Sequence, residues 1–284
     1  MVIERALKKL KEAQTAVGAV QAGVQQPEVR APEAPQREIA SVPRPVFPLL
    51  ECDRACAEAH RIALPNSMLA ADERVAAAYR MVRTRLLQRM RTNHWSSVAI
   101  TSPDTGEGKS VTSLNLALNI ARHDTHNVFL LDLDLRSPSL CTYLGVRPPT
   151  QLIDYFAGNA APADLFFSIG PQNLALAANI SATALASELL SHSKLDELIA
   201  YIKRIAPNPI VLIDLAPITV TDEALAVAPR VDAMLLVVAE RKTRRDSLAR
   251  AKQLLADFPS AGIVLNRSTA ANGASGYYYY VGDT

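Results

Sequence analysis

Val98-Ala99-Ile100, followed by Thr101-Ser102-Pro103-Asp104-Thr105-Gly106-Glu107-Gly108-Lys109-Ser110, sets a short apolar run, a glycine-bearing loop and the start of a helical pattern in sequence. Strand, loop and helix in that order are what a phosphate-binding loop of the Walker A kind requires. Gly106 and Gly108 let the backbone wrap close to a phosphate chain with its N–H groups turned inward. A helix beginning near Lys109 adds the positive end of its dipole. Lys109 offers a mobile charge to the outer phosphates, and the Ser110 hydroxyl can ligate magnesium. The expected nucleotide-binding set is therefore Thr105, Gly106, Glu107, Gly108, Lys109, Ser110 and Val111. Pro103 stands where the first glycine of such a loop is usual.

Working outward, apolar runs at 128–133, 174–177, 210–215, 233–239 and 263–265 read as further buried strands. Helical patterns cover 110–122, 185–204 and 244–258 between them. Strands that are apolar throughout, rather than alternating, point to a mostly parallel sheet covered on both faces, hence a doubly wound α/β domain. Such sheets bind ligands at the carboxyl ends of their strands. Two of those ends carry acids. Leu130-Leu131-Asp132-Leu133-Asp134-Leu135-Arg136 should project Asp132 and Asp134 to one side, where two carboxylates can hold a metal shell or accept a proton. Ile210-Val211-Leu212-Ile213-Asp214 has the pattern of a Walker B carboxylate.

Outside this region, 63–267, three segments differ in character. Residues 1–25 open with Val2, Ile3, Ala6, Leu7 and Leu10 at helical spacing, opposite lysines, which reads as an amphipathic helix. Residues 26–62 carry Pro27, Pro32, Pro35, Pro43, Pro45 and Pro48 and read as an extended linker. Residues 268–284 form a small, polar, glycine-bearing tail around Tyr277, Tyr278, Tyr279 and Tyr280. About ten flexible residues reach roughly 17–19 Å, enough to bring those phenols to a nucleotide site.

Composition excludes more than it assigns. The net charge of +2 gives no drive toward nucleic acid. No apolar run approaches the roughly 18 residues that span a bilayer, so the expected compartment is the cytoplasm. Cys52 and Cys56 lack a second pair of ligands nearby, and Cys141 stands apart, which does not make a zinc site.

Taken together, these segments resemble the bacterial tyrosine kinases of capsule and exopolysaccharide synthesis, in their soluble form, across about 72–280. The matching motifs are 102–110, the Asp-x-Asp-x-Arg run 130–136, and 210–217. The segment Ala78-Tyr79-Arg80-Met81-Val82-Arg83-Thr84 is similar to the family's arginine-bearing helix, and Val264-Leu265-Asn266 to a segment near the adenine. The resemblance implies a P-loop NTPase fold of the deviant-Walker type using ATP and Mg2+. Ser110, Asp132 and Asp214 would hold the metal. Asp132 would be the general base, supported by Asp134, and Lys109 would grip phosphate. Tyr277–Tyr280 would be autophosphorylated in trans. Arg80 and Arg83 would pack subunits into a ring, although Ala77 replaces the glutamate that opens that helix motif. The implied partner is a membrane polysaccharide co-polymerase that recruits the protein to the inner face of the membrane. A second reading is a nucleotide-switched ATPase of the partitioning type, or a non-kinase export regulator. Partitioning ATPases carry a signature lysine five residues before the Walker lysine, and that position here is Asp104.

Overall fold

The computed structural model describes residues 45–65, 73–122, 126–191 and 193–268. The helix expected over 1–25 and the tail tyrosines lie outside the described residues. In chain order the elements are α1 (Arg54–Ala59), α2 (Glu73–Thr92), β1 (Ser97–Thr101), α3 (Lys109–Ala121), β2 (Asn127–Asp132), α4 (Leu140–Leu144), α5 (Leu152–Phe156) and β3 (Leu174–Ala177). They continue as α6 (Ala186–Ser191), α7 (Lys194–Ile205), β4 (Pro209–Asp214), α8 (Glu223–Val227), β5 (Ala233–Ala239), α9 (Arg245–Leu254) and β6 (Ser260–Asn266). The strands form one sheet in the order β3-β2-β4-β1-β5-β6, every pair parallel.

Strand periodicity divides the core in two. Val98, Ile100, Val128, Leu130 and Leu212 point to one face, where they meet Leu86 and Met90 of α2 and Leu114 and Leu118 of α3. Ala99, Phe129, Leu131, Val211 and Ile213 point to the other, against Leu195, Leu198 and Ile202 of α7 and Ala251 of α9. Each fully buried Leu or Phe contributes about 1.5–3 kcal/mol, and no strand carries a polar residue between its first and last positions. The helical pattern read over 185–204 is two helices, α6 and α7. The first ends at Ser191 and the second begins at Lys194, with its buried stripe starting at Leu195.

Of the linker expected over 26–62, with extension through about residue 48, the described part from residue 45 onward packs on the domain. Phe47 packs against Phe129 and Phe166, with ring centroids 6.0 and 5.4 Å away. Ser168 N donates to the Pro48 carbonyl at 2.8 Å and Leu50 N donates to the Ser168 carbonyl at 2.9 Å. Asp53 caps α1 by accepting from Cys56 N, and Ala57 and Ile62 are fully buried. Proline forbids helix and a ladder donor, but its carbonyl still accepts. A short edge contact is therefore compatible with Pro48.

At the amino ends of the strands, one Asp232 oxygen accepts from Ser96 N at 2.7 Å, Ser97 N at 2.8 Å, Ser97 Oγ at 2.8 Å and Ser96 Oγ at 3.1 Å. Burial opposes the charge, but these four donors hold the carboxyl below the usual range. Asp232→Asn should cost about 1–3 kcal/mol, the worth of hydrogen bonds to a charged group. A depressed acid stabilises above its unfolded pKa and loses that effect as pH falls through the folded value. The melting-temperature gap between wild type and variant should thus be full at neutral pH and close below about pH 4. Equal melting temperatures at pH 7 would refute this.

Candidate active site

The loop 102–108 joins the carboxyl end of β1 to the amino end of α3. Its outer anchors come from distant parts of the chain. Ile218 N donates to the Ser102 carbonyl at 2.9 Å, and Thr219 Oγ1 lies 2.8 Å from the Pro103 carbonyl and 3.0 Å from Asp104 Oδ1. Pro103 is buried and keeps a negative φ, so the glycine that usually stands there is not needed for its conformation. Gly108 is different. Its φ is 93°, and a Cβ there would lie 2.0 Å from Asn266 Nδ2.

Lys109 is the hub of the site. Its Nζ donates to Asp134 Oδ2 at 2.6 Å and to Ser110 Oγ at 3.1 Å, and it lies 3.8 Å from Asp214 Oδ2. Burial works against the charge, but Asp214, Asp134 and Asp132 outweigh it and raise the lysine's pKa. Asp132 and Asp214 end neighbouring parallel strands and are register partners, so their side chains leave the same face of the sheet. Both are fully buried. Burial, then Asp214 beside it, lifts Asp132 well above the ordinary carboxylate value; burial also raises Asp214, with Lys109 opposing. Asp132 Oδ2 accepts from Leu140 N at 3.3 Å, and Asp214 Oδ1 accepts from Ser113 Oγ at 3.1 Å. The other oxygen of each, Asp132 Oδ1 and Asp214 Oδ2, is buried without a hydrogen bond.

One cation facing three carboxylates, with two orphaned oxygens beside a serine hydroxyl, fits a hard divalent ion shared with phosphates. Among the described residues no group of three or more His, Cys, Asp or Glu forms a metal cage by itself. Beside the loop lies a cavity of about 280 Å³. Thr105, Gly106, Gly108, Lys109, Ser110 and Val111 form one wall; Asp134, Arg136, Tyr143 and Pro217 contribute to the other.

The structure thus brings Lys109, Ser110, Asp132, Asp134 and Asp214 together. Asp134 arrives by a different route from the alternation read along the strand. β2 stops at Asp132, and Asp134 reaches Lys109 from the turn that follows. Asn266 Nδ2 donates to the Glu107 carbonyl at 2.9 Å, so its carboxamide is engaged with the loop. Arg83 donates to Asn119 Oδ1 of its own chain at 3.1 Å. Arg80 is exposed on the same helix. Sequence reasoning missed Ser113, which carries a Ser-in-helix signal of no special kind, and Glu223, which is buried and paired with Arg136. It also missed Arg267 and assigned no role to Lys242, both of which bond the loop. No helix of the described residues is long and apolar enough to cross a membrane.

The family model described as the CobQ/CobB/MinD/ParA nucleotide-binding domain matches residues 98–278. Tyrosine-protein kinase YwqD of Bacillus subtilis is 29% identical over 203 residues, covering 70% of this chain and 84% of that protein. Tyrosine-protein kinase CpsD of Streptococcus agalactiae is 27% identical over 224 residues, covering 77% of this chain and 96% of that protein. The kinase domain of Escherichia coli tyrosine kinase ETK superposes with a TM-score of 0.65 at 23% identity, over 76% of this chain and 86% of that one, which speaks for the fold. With its phosphate loop at the crevice of an all-parallel sheet, the chain belongs to the CobQ/CobB/MinD/ParA nucleotide-binding family, within which its relatives are bacterial tyrosine-protein kinases.

Proposed function

We propose that this chain is an ATP- and Mg2+-dependent protein-tyrosine kinase of capsule or exopolysaccharide synthesis that phosphorylates Tyr277–Tyr280 of a neighbouring copy. The observation that carries the reading is the Lys109–Asp132–Asp134–Asp214 cluster beside a phosphate loop, in a chain that ends in a tyrosine run. Ser110, Asp132 and Asp214 would hold magnesium, which would partly neutralise the phosphate oxygens of ATP. Lys109 spreads its charge over the phosphate oxygens, and Asp134 keeps the ammonium in place. A phenol with a pKa of about 10 needs an acceptor for its proton at neutral pH. Asp132 takes that proton as the tyrosine oxygen bonds to phosphorus and the bond to ADP breaks.

Asp104, held by Thr219, occupies the position of the lysine that marks partitioning ATPases, which weighs against that reading. The proposal also includes a ring contact through Arg80 and Arg83. A polysaccharide co-polymerase at the inner membrane face would act as the activating partner. Mass spectrometry of the tail after incubation with ATP and Mg2+ tests the core of the proposal. Phosphate should appear on Tyr277–Tyr280. If transfer is in trans, the wild type should also label the tail of an added Lys109→Ala chain, told apart by its mass. A tail without phosphate would overturn the kinase reading, and a Lys109→Ala tail left unlabelled beside labelled wild type would overturn transfer between copies.

A further inference from the structure

Two successive carbonyls of the phosphate loop are gripped from outside by residues far away in the chain. The Gly106 carbonyl accepts from Lys242 Nζ and from Arg267 Nη2, each at 2.9 Å. The Glu107 carbonyl accepts from Asn266 Nδ2 at 2.9 Å. The Glu107 side chain, fully buried, accepts from Thr243 Oγ1 and from Asp104 N. The same three residues therefore reach the loop from two segments, the turn after β5 and the end of β6. The contact is close on both glycines, since a Cβ on Gly106 would lie 2.6 Å from Lys242 Nζ.

A trans peptide is planar, with its C=O and N–H pointing in opposite directions. Holding the Gly106 carbonyl outward turns the Glu107 N–H inward, and holding the Glu107 carbonyl outward turns the Gly108 N–H inward. Among the described residues, neither N–H has a hydrogen-bond partner. Both are left facing the side where the cavity and the Lys109 ammonium lie, as donors for an anion. We infer that Lys242, Asn266 and Arg267 are positioning residues that preset the phosphate loop for a nucleotide's phosphates by fixing its carbonyls from behind. They act through the loop's peptide planes rather than by touching the phosphate. Arg267 adds a second consequence. Its left-handed backbone, at φ 57°, and the bond from its own N–H to Asn266 Oδ1 at 2.8 Å fix the point from which the tail departs.

The inference rests on the nucleotide-binding reading but not on phosphoryl transfer, so it is tested without turnover. The full chain and the variants Lys242→Ala, Arg267→Ala, Arg267→Lys and the double Lys242→Ala/Arg267→Ala are titrated with a non-hydrolysable ATP analogue and Mg2+. Hydrogen exchange of residues 104–111 is followed in the nucleotide-free proteins. Each single alanine leaves one cation on Gly106 and should raise Kd by about threefold or less. The double variant should raise it at least tenfold, accelerate exchange at 104–111 before any nucleotide is added, and keep its melting temperature. Arg267→Lys, which keeps a donor, should bind as wild type. A raised Kd with unchanged exchange would mean that the cations touch the nucleotide directly and would overturn the proposal. An unchanged Kd in the double variant would overturn it as well. Wild-type binding without tail phosphorylation would count against the kinase reading alone.

Discussion

In a Lys109→Ala protein, phosphorylation of the tail should fall by about 10³-fold or more while the fold persists. Removing one preorganised donor from a transition-state site costs about 10²–10³ in rate, and here the donor is a full charge in a buried place. The lysine is also the cation that faces Asp132, Asp134 and Asp214. Without it, Asp132 and Asp214 retain protons more strongly. A carboxyl whose folded pKa is raised contributes stability below its unfolded pKa and loses it as pH rises through the folded value. The variant's melting temperature should accordingly fall further behind the wild type as pH is raised from about 5 to 8. Rates read by tail labelling and stability read by scanning calorimetry separate the two effects. Labelling within tenfold of wild type would show that Lys109 is not the phosphate grip.

Asp132→Asn should separate activity from stability in the opposite direction. If Asp132 accepts the phenol's proton, losing the carboxylate costs about 10²–10⁴ in rate. Yet this residue is an expense to the folded state. It is fully buried, one of its oxygens has no partner, and Asp214 stands beside it. Its raised pKa means that its ionisation works against folding above the unfolded value of about 3.9. The amide keeps the shape and cannot ionise. The variant should melt above the wild type near pH 8, and the gain should vanish near pH 4. A variant that is both slow and less stable at pH 8 would mean that Asp132 is anchored mainly by contacts the amide cannot make.

Much of this was legible because it is local. The apolar run, the two glycines and the Lys-Ser pair at 109–110 lie within one strand–loop–helix, and the ends of β2 and β4 each carry an acid. What joins them is not local. That Asp132 faces Asp214 depends on β4 lying between β2 and β1, a strand order that no window of sequence encodes. Lys242 and Arg267 were given no role because their acceptor, the Gly106 carbonyl, is a backbone group more than a hundred positions away. Phe47 was read into a linker because prolines dominate its surroundings; what holds it are two aromatic rings contributed by β2 and by the segment before β3. Arg80 and Arg83 share α2, and the bond from Arg83 to Asn119 of its own chain joins residues 36 positions apart, which no local pattern announces.

The segment from Phe47 to Ile62 has a bearing on how this domain could be inherited or transplanted as a module. A boundary at residue 63, where the alternating pattern begins, would strip Phe47 from Phe129 and Phe166 and leave Ser168 without its neighbours on either side. It would also remove the Arg61 carbonyl, to which Asn115 of the phosphate-loop helix donates at 2.9 Å. The smallest portable unit of the nucleotide site therefore includes Phe47, inside what composition presents as a spacer.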